Sequence, residues 1–298
     1  GHIYRNAYHT YFHNIDKFFA PFIVTSPNGI RRMKEFKDIL PENNEGLRLI
    51  PQLLSNNAEG FILAAREIEA LGYEEINLNV GCPSGTVTSK GRGAGLLLNP
   101  EELDRFLDRI YRECNMKLSI KTRIGFYKPQ EFDKILDIYN SYPVHELIIH
   151  PRTREDYYKN PVHLNMFLYA VQTCRHRLCY NGDIFSYQDY RTITEMFPDV
   201  DCVMLGRGIL RNPSIVENIL AKTEKPDRGA LFEFHDRIYN DYKSILSGEK
   251  HLLFKMKELW LYMAYSLEQS EKFVKKIKKA KNLYEYDSAV NECKAAKG

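Results

Sequence analysis

Six short segments of polar residues and glycines each follow directly after an apolar run, and their side chains could carry out chemistry on a bound molecule. Together they offer a thiol, an imidazole, several cations, amides and a carboxylate. One polar residue after a strand often has only a structural role. Six in equivalent positions predict a ring of functional groups at one end of the fold. The segments are Gln52, Asn79 with Gly81-Cys82-Pro83, Lys121 with Arg123, His150 with Arg152, Asn181-Gly182-Asp183, and Gly206-Arg207-Gly208.

Cys82 is the cysteine, among six, that lies in a glycine-rich loop directly after a predicted strand, in the segment NVGCPSGTVTSKGRGAGLL. An ordinary thiol titrates at about pH 8.5 and is mostly protonated at neutral pH, so it can donate a proton without special tuning. A nucleophilic role would need a nearby base or cation, and His150 lies two strands further along. A general acid is the favoured interpretation, and a nucleophile stays open.

The glycines of the last two segments are suited to binding a phosphate group. In barrel enzymes this site is commonly formed by the loops after the seventh and eighth strands and a following helix. Glycines let backbone N–H groups approach a phosphate, and Arg207 adds positive charge. A phosphorylated cofactor is therefore predicted. Lys121 would supply a cation near its reactive end, which suits a flavin that becomes anionic when reduced; pairing with a barrel carboxylate is the alternative.

The elements that position these groups alternate between strands and helices. Strands separated by helices form parallel βα units, and their spacing fits a TIM (β/α)8 barrel. A doubly wound open sheet would carry a glycine fingerprint after an early strand, and the sequence has none. The predicted strands lie near 17–24, 47–53, 75–80, 117–123, 145–150, 177–181 and 201–205, with helices at 59–71, 100–113, 130–140, 162–175, 187–197 and 212–222.

Two domains are predicted, a catalytic barrel over 1–224 and a helical bundle over 225–298. In the second domain apolar residues recur at helical spacing over 229–247, 250–268 and 270–295. Seven strands are one fewer than the barrel needs, and the chain opens on IYRNAYHTYF, which is typical of a helix. We therefore expect this chain to lack the first strand of its barrel, with that strand upstream of Gly1.

Composition narrows the class of protein. The chain has 298 residues, 44% hydrophobic and 27% charged, which is ordinary for a globular protein. With no run of 18 apolar residues, no membrane span is predicted. The six cysteines form no CxxC pair and no zinc-ligand spacing, so no metal site is predicted and the free thiols indicate a cytoplasmic protein.

Positive charge is concentrated near the C-terminus. The whole chain has a net charge of +3, and residues 225–298 hold 15 basic against 11 acidic side chains. Such a concentration suits an anionic polymer, and a solvated helix face is the equally open alternative. We call its centre the lysine cluster: Lys272, Lys275, Lys276, Lys278, Lys279 and Lys281.

Five segments, taken in order, resemble the dihydrouridine synthase family, flavoproteins that reduce specific uridines in RNA. They are INLNVGCPSGTVTSKGRGAGLL, SIKTRIG, HPRTREDYY, YNGDI and MLGRGILRNP. The first and third together distinguish the chain from the related dihydroorotate dehydrogenases, which share the barrel and FMN. Pro151 departs from the family, which commonly has Gly there. Ala20-Pro21-Phe22 resembles a flavin-contacting segment of the family but lies too close to Gln52 to be assigned to it.

The resemblance implies an FMN-dependent reduction of uridines in RNA, tRNA first, to 5,6-dihydrouridine. NADPH would reduce the flavin, hydride would pass from flavin N5 to uracil C6, and Cys82 would protonate C5. Asn79 would contact the base, and Arg152 and Arg154 the RNA backbone. The remaining site residues would bind FMN: Gln52, Lys121 and His150 at the ring and ribityl chain, and Asn181, Gly182, Asp183, Gly206 and Arg207 at the phosphate. No obligate protein partner is expected, and the chain is predicted to be a monomer.

Three alternatives stay open. The same reaction could act on ribosomal RNA. An FMN-dependent oxidoreductase of small dihydropyrimidines could use the same barrel, although a small substrate has no need of the lysine cluster. An RNA-binding protein could have kept the barrel and lost its chemistry, which the presence of both Cys82 and Lys121 disfavours.

Overall fold

The computed structural model describes residues 1–30, 33–267 and 271–296, which divide by their contacts into two compact units. The barrel unit comprises Asp16–Gly182 and Thr194–Met204. The helical unit comprises the described residues of Gly1–Ile15, Asp183–Ile193 and Leu205–Gly298. This grouping does not follow the predicted boundary between 224 and 225, which stays a prediction about functional domains.

All strands of the described residues lie in the barrel unit. Their hydrogen-bonded order is β3-β2-β5-β6-β7-β8-β9, with β1 pairing with β4, and every pair is parallel except the β2–β3 hairpin. Among the parallel strands β2, β5, β6, β7, β8 and β9, chain order is thus sheet order, as the predicted (β/α)8 barrel requires. The strands are β1 (Phe18–Phe19), β2 (Ile23–Ser26), β3 (Gly29–Ile30), β4 (Leu49–Ile50), β5 (Gln52–Leu54), β6 (Glu75–Val80), β7 (Lys117–Arg123), β8 (Leu147–His150) and β9 (Leu178–Tyr180).

Prolines interrupt the first two predicted strands. Pro21 lies between β1 and β2, and Pro51 between β4 and β5, because proline has no N–H to donate to a sheet. Hydrogen bonds from Ala20 N to Ile50 O (3.0 Å) and from Asn77 N to Pro51 O (2.9 Å) keep the chains aligned across the breaks. The strand predicted at 201–205 is reduced to a parallel bridge between Val203 and Tyr180.

The predicted helices are present, and the structure adds the short helices Met33–Asp38 and Gly85–Thr88, which were not predicted. The helix predicted over 270–295 is two helices, because the Asn282 side chain accepts a hydrogen bond from Glu285 N (2.9 Å) and starts a new one. Residues 268 and 270, at the ends of two predicted helices, lie outside the described residues. The helices are α1 (His2–Tyr11), α2 (Met33–Asp38), α3 (Ala58–Glu69), α4 (Gly85–Thr88), α5 (Pro100–Glu113), α6 (Phe132–Asn140), α7 (Leu164–Thr173), α8 (Tyr187–Met196), α9 (Arg207–Arg211), α10 (Ile215–Ala221), α11 (Arg228–Ile245), α12 (Glu249–Met263), α13 (Glu271–Lys279) and α14 (Leu283–Ala295).

The central strand β6 is buried along its whole length. Its aliphatic side chains, Ile76, Leu78 and Val80, are 0% exposed and alternate with the amides of Asn77 and Asn79. Because successive side chains of a strand point to opposite faces, one face of β6 is apolar and the other polar. The polar face carries the candidate site.

A buried polar contact holds the helical unit together. Tyr286 Oη accepts a hydrogen bond from Trp260 Nε1 (2.9 Å) and lies 2.6 Å from His235 Nε2, which joins α11, α12 and α14. Burial lowers the pKa of His235 below its usual value, so the ring is neutral and Nε2 accepts from the tyrosine. No described helix combines the length and the apolar character needed to cross a membrane.

Candidate active site

A chain of buried amides links the polar faces of three neighbouring strands. Gln52 Nε2 donates to Asn77 Oδ1 (2.8 Å), and Asn79 Nδ2 donates to Gln52 Oε1 (2.8 Å). Asn77 Nδ2 in turn donates to Ser119 Oγ on β7 (3.0 Å). These bonds set the orientation of both predicted site amides. Gln52 lies within its strand, which continues to Leu54, and not at the strand end as the sequence predicted.

Cys82 is held by its backbone on both sides. Asn79 Oδ1 accepts hydrogen bonds from Gly81 N (3.0 Å) and Cys82 N (2.9 Å), and Ala94 N donates to Cys82 O (3.1 Å). Cys82 is half-buried and follows the end of β6. The position of the thiol therefore depends on the amide of Asn79.

Lys121 lies beside Asn79, its register partner in the β6–β7 pair. Its side chain is half-buried, and within the described residues no hydrogen bond or ion pair engages its ammonium group. Burial, followed by the charge of Arg123, lowers the pKa of Lys121 to about 8. The alternative of a carboxylate partner therefore has no support in the described chain. A cation in this position would be stabilised by an anionic or electron-rich ligand.

His150 ends β8 and is 6% exposed. Its Nε2 lies 3.1 Å from Arg152 Nη1, and because a guanidinium only donates, Nε2 is the acceptor. The Tyr158 ring stacks on the imidazole with 5.8 Å between centroids. These neighbours hold the imidazole at the same end of the barrel as Cys82 and Lys121.

The two predicted RNA-binding arginines differ in exposure. Arg152 is 2% exposed and donates from Nε to Asn160 O (2.6 Å). The Arg154 side chain is 16% exposed, pairs with Glu155 (2.5 Å) and lies over the rings of Phe126 and Tyr157 at 5.1 and 4.9 Å. The geometry favours Arg154 for an RNA contact, and both roles stay predictions.

The five predicted phosphate-binding residues are divided between the two units. In the barrel unit, Asn181 Nδ2 donates to Met204 O (2.8 Å), and a Cβ on Gly182 would lie 2.0 Å from Tyr180 Oη, so this position requires glycine. In the helical unit, Gly206 precedes α9, and Arg207 Nη2 bonds Asp183 Oδ1 (2.5 Å).

Two neighbours of the site, Asn77 and Ser119, were not predicted, and Arg123 was predicted in the ring of functional groups but was given no role. Asn77 and Ser119 have ordinary types for a strand interior, so only their contacts reveal their role. Arg123 is two residues from Lys121 on β7, and the period of two in a strand places both on one face. That alternation was the available signal. In the part of the chain that the structure describes, no three His, Cys, Asp or Glu side chains come together as a possible metal site.

Solved structures with a similar fold support the barrel architecture. The variant of NCR from Zymomonas mobilis has a TM-score of 0.54 at 12% identity, over 78% of this chain and 84% of its own. The old yellow enzyme from Trypanosoma cruzi has a TM-score of 0.51 at 10% identity, over 79% and 87%. These likenesses show the barrel fold alone.

Sequence comparison identifies the family. A probable tRNA-dihydrouridine synthase of Staphylococcus aureus (strain COL) is 27% identical over 238 residues, which are 76% of this chain and 71% of that protein. The tRNA-dihydrouridine(16) synthase of Pseudomonas putida is 30% identical over 213 residues, 67% of this chain and 64% of that protein. The dihydrouridine synthase (Dus) family model matches residues 13–297. The chain belongs to the dihydrouridine synthase family, whose members are oxidoreductases, as the sequence motifs predicted.

Proposed function

We propose that this protein reduces specific uridines in RNA, tRNA in the first place, to 5,6-dihydrouridine, with FMN as cofactor and NADPH as reductant. The observation that carries the proposal is the adjacency of three groups in a chain of this family. Asn79 and Lys121 are register partners on neighbouring strands, and Asn79 binds the backbone of Cys82 (2.9 Å). The proposed proton donor and a half-buried cation are thus joined through Asn79 at one end of the barrel.

The residues present fit a flavin. The ammonium of Lys121 is half-buried and lacks an anionic partner among the described residues, so an anionic ring would offset the cost of burying it. FMN, when bound and reduced by NADPH, would supply the hydride for uracil C6. Gln52 and His150 would contact the ring and ribityl chain with Lys121, and in the barrel unit Asn181 and Gly182 would meet the phosphate. The phosphate contacts of Gly206 and Arg207 in the helical unit stay predictions from the sequence motifs. Asp183 would act by orienting Arg207, since one carboxylate does not bind another anion.

Cys82 gives a proton to uracil C5 in this proposal. Its backbone N–H and C=O are both hydrogen-bonded, which fixes the backbone that carries the thiol. Asn79 has its Oδ1 directed at the Cys82 loop and its Nδ2 at Gln52. We propose that Asn79 contacts the base as well as positioning the loop, because an amide Nδ2 has a second hydrogen to donate.

The close approach of Cys82 to position 93 requires a glycine there. Its φ is +55°, and a Cβ there would lie 2.9 Å from the Cys82 Cβ. We expect Gly93→Ala to displace the thiol and lower uridine reduction about 10- to 100-fold with FMN binding retained, because a small misplacement of a reacting group costs this much. Gly72→Ala is the matched control, since Gly72 has a φ of +91° with nothing within 4 Å. Equal losses in both variants, measured as dihydrouridine formed per minute, would contradict this role.

RNA would reach the site with the target base flipped out of its stack, at a cost of a few kcal/mol. The lysine cluster is suited to offset that cost. In α13, Phe273 and Ile277 are buried, while Lys275, Lys278 and their lysine neighbours are exposed. The exposed face of α13 therefore carries mostly lysines, of which Lys276 pairs with Glu292 of α14 (2.5 Å).

Removal of the charges of Lys275, Lys276, Lys278 and Lys279 by glutamine substitution should weaken RNA binding. If each lysine meets one phosphate, the slope of log K against log salt should fall by about 3. The control carries four exchanges of lysine to glutamine elsewhere: Lys117, Lys134, Lys222 and Lys225. Binding is measured by fluorescence anisotropy at several salt concentrations, and an unchanged slope in the α13 variant would exclude α13 as the RNA-binding surface.

The function itself is tested by deleting the gene and mapping dihydrouridine across total RNA by mass spectrometry. We expect the loss of dihydrouridine at defined positions of tRNA, restored by the purified protein with FMN and NADPH. Loss from ribosomal RNA alone would instead support the ribosomal alternative. Reduction of free uracil or orotate without RNA activity would support the small-molecule alternative. If the purified protein takes up no FMN, the alternative of an RNA-binding protein without catalytic activity would be supported.

We place the activity in the cytoplasm, where the six free cysteines would stay reduced, in a monomeric protein.

A further inference from the structure

Arg123 joins two loops at the mouth of the barrel. It is the last residue of β7 and is 1% exposed. Its Nε donates to Gly81 O (3.0 Å), its Nη1 to Thr153 O (2.7 Å) and its Nη2 to Tyr157 O (2.9 Å). The first acceptor directly precedes Cys82, and the other two lie in the loop after β8. One guanidinium therefore links the Cys82 loop to a loop that is more than 70 residues away in sequence.

This arrangement is not what stability alone would select. Within the described residues no carboxylate lies within ion-pair distance of Arg123, whose charge is balanced by carbonyl dipoles, by the Tyr158 ring at 5.2 Å and, at longer range, by the charge of Asp156. Burying a cation without a carboxylate in direct contact is costly, and an apolar residue of similar size often serves stability as well or better. A lysine could not reach three carbonyls placed around a planar fork. The position thus requires arginine for its geometry.

The loop after β8 is rigid enough to act as an anchor. Asp156 Oδ2 accepts from Thr153 N and Thr153 Oγ1 (both 2.8 Å) and lies 3.0 Å from His163 Nε2, while Oδ1 accepts from Asn160 Nδ2 (2.6 Å). Burial raises the pKa of Asp156, but these hydrogen bonds outweigh it and lower the pKa to about 2. The carboxylate is therefore charged at all physiological pH values and keeps Thr153 O facing Arg123.

We propose that Arg123 is a positioning residue for the reduction of uridine: it transmits the fixed position of the loop after β8 to Gly81 and so sets where the Cys82 thiol lies. The inference rests on the proposed function, since positioning matters only if Cys82 donates a proton. Arg123 acts through the Cys82 loop by its hydrogen bond to Gly81 O.

The test compares Arg123→Lys with the wild type in protein free of flavin and RNA. Hydrogen exchange of residues 81–95 and 151–160 is followed by mass spectrometry, together with the alkylation rate of Cys82 by iodoacetamide in the peptide that contains it. Because hydrogen bonds to a charged group are the strong ones, we expect exchange in both segments and alkylation of Cys82 to accelerate about tenfold. In the loaded enzyme, uridine reduction should fall about 100-fold while NADPH still reduces the flavin at the wild-type rate.

Arg109→Lys is the matched control, because Arg109 is 54% exposed and its ion pair among the described residues lies within α5, with Glu113 (2.9 Å). It should change none of these rates. A second variant perturbs the loop after β8. Asp156→Asn alone should accelerate hydrogen exchange over 81–95, whereas the same substitution added to Arg123→Lys should cause no further acceleration. The proposal is overturned if Arg123→Lys accelerates hydrogen exchange over 151–160 while exchange over 81–95 and the alkylation rate of Cys82 stay at their wild-type values. It is also overturned if exchange accelerates equally in every segment of the protein. Absence of uridine reduction in the wild type would refute the proposed function and leave the loop measurements intact.

Discussion

Replacement of Cys82 by alanine is expected to lower uridine reduction about 100- to 10,000-fold, the range that a positioned general acid contributes. The substitution removes the thiol and leaves the backbone bonds of residue 82 to Asn79 Oδ1 (2.9 Å) and from Ala94 N (3.1 Å) unchanged. The loop should therefore keep its shape. The variant should bind FMN and accept hydride from NADPH at the wild-type rate, and only the step that consumes RNA should slow.

The measurement separates the two halves of the reaction. Stopped-flow absorbance follows reduction of the flavin by NADPH, and a second mixing with RNA follows its reoxidation. Cys174→Ala is the control, because Cys174 is also half-buried but lies at the end of α7 and not on the loop after β6. Full RNA activity in Cys82→Ala would remove this thiol from the mechanism, whereas loss of flavin reduction as well would indicate a structural role.

Replacement of Lys17 by methionine is expected to destabilise the barrel unit by about 3 kcal/mol. Lys17 Nζ lies 2.7 Å from Glu146 Oε2 and 3.6 Å from Glu75 Oε1, and these carboxylates are only 1% and 5% exposed. Loss of the ammonium leaves two buried negative charges close to each other. Such uncompensated charges cost about 3–5 kcal/mol, and the lower end applies here because Arg48 and Arg177 also approach at 3.7 and 3.9 Å from more exposed positions.

Urea unfolding followed by far-ultraviolet circular dichroism measures this effect. The control is Lys117→Met, which removes a pair between Lys117 (57% exposed) and Glu74 (83% exposed) and should cost less than about 1 kcal/mol. Adding Glu75→Gln and Glu146→Gln to Lys17→Met should recover most of the loss, because the buried charges are then gone. Equal effects of the two lysine substitutions would show that the buried cluster does not depend on Lys17.

Lys17, Glu75 and Glu146 lie at the N-terminal ends of their strands, and Cys82, Lys121 and His150 lie at the C-terminal ends. In parallel barrels the catalytic residues lie at the C-terminal ends of the strands, and residues at the N-terminal ends contribute to stability. The two largest expected effects therefore separate cleanly: Cys82→Ala should change turnover without changing the free energy of unfolding, and Lys17→Met should do the reverse.

The strands and the polar residues that follow them could be predicted because their signals are local. An apolar run bounded by polar residues and glycine is visible within ten residues, and parallel strands bring their ends together whatever the loops do. The neighbouring positions of Asn79 and Lys121 follow from that rule. The breaks at Pro21 and Pro51 could have been predicted too, since proline cannot donate within a sheet.

The contacts of individual side chains could not be predicted. Asn79 turns its Oδ1 back to the Cys82 loop, Arg152 is buried against His150, and Asp183 pairs with Arg207. Each of these depends on the register between strands and on the path of a loop, which the residue types alone do not specify.

The amino-acid sequence by itself determined the family, the alternating strand–helix order and the set of residues at the strand ends, because these depend on short-range pattern and on motifs in order. Only the tertiary structure decided which of those residues touch. The Arg123 guanidinium reaches Gly81, Thr153 and Tyr157, positions 30 to 42 residues away from it. The physical reason is that a hydrogen bond forms only where donor and acceptor meet within about 3 Å, and such a meeting is created by the packing of the whole barrel.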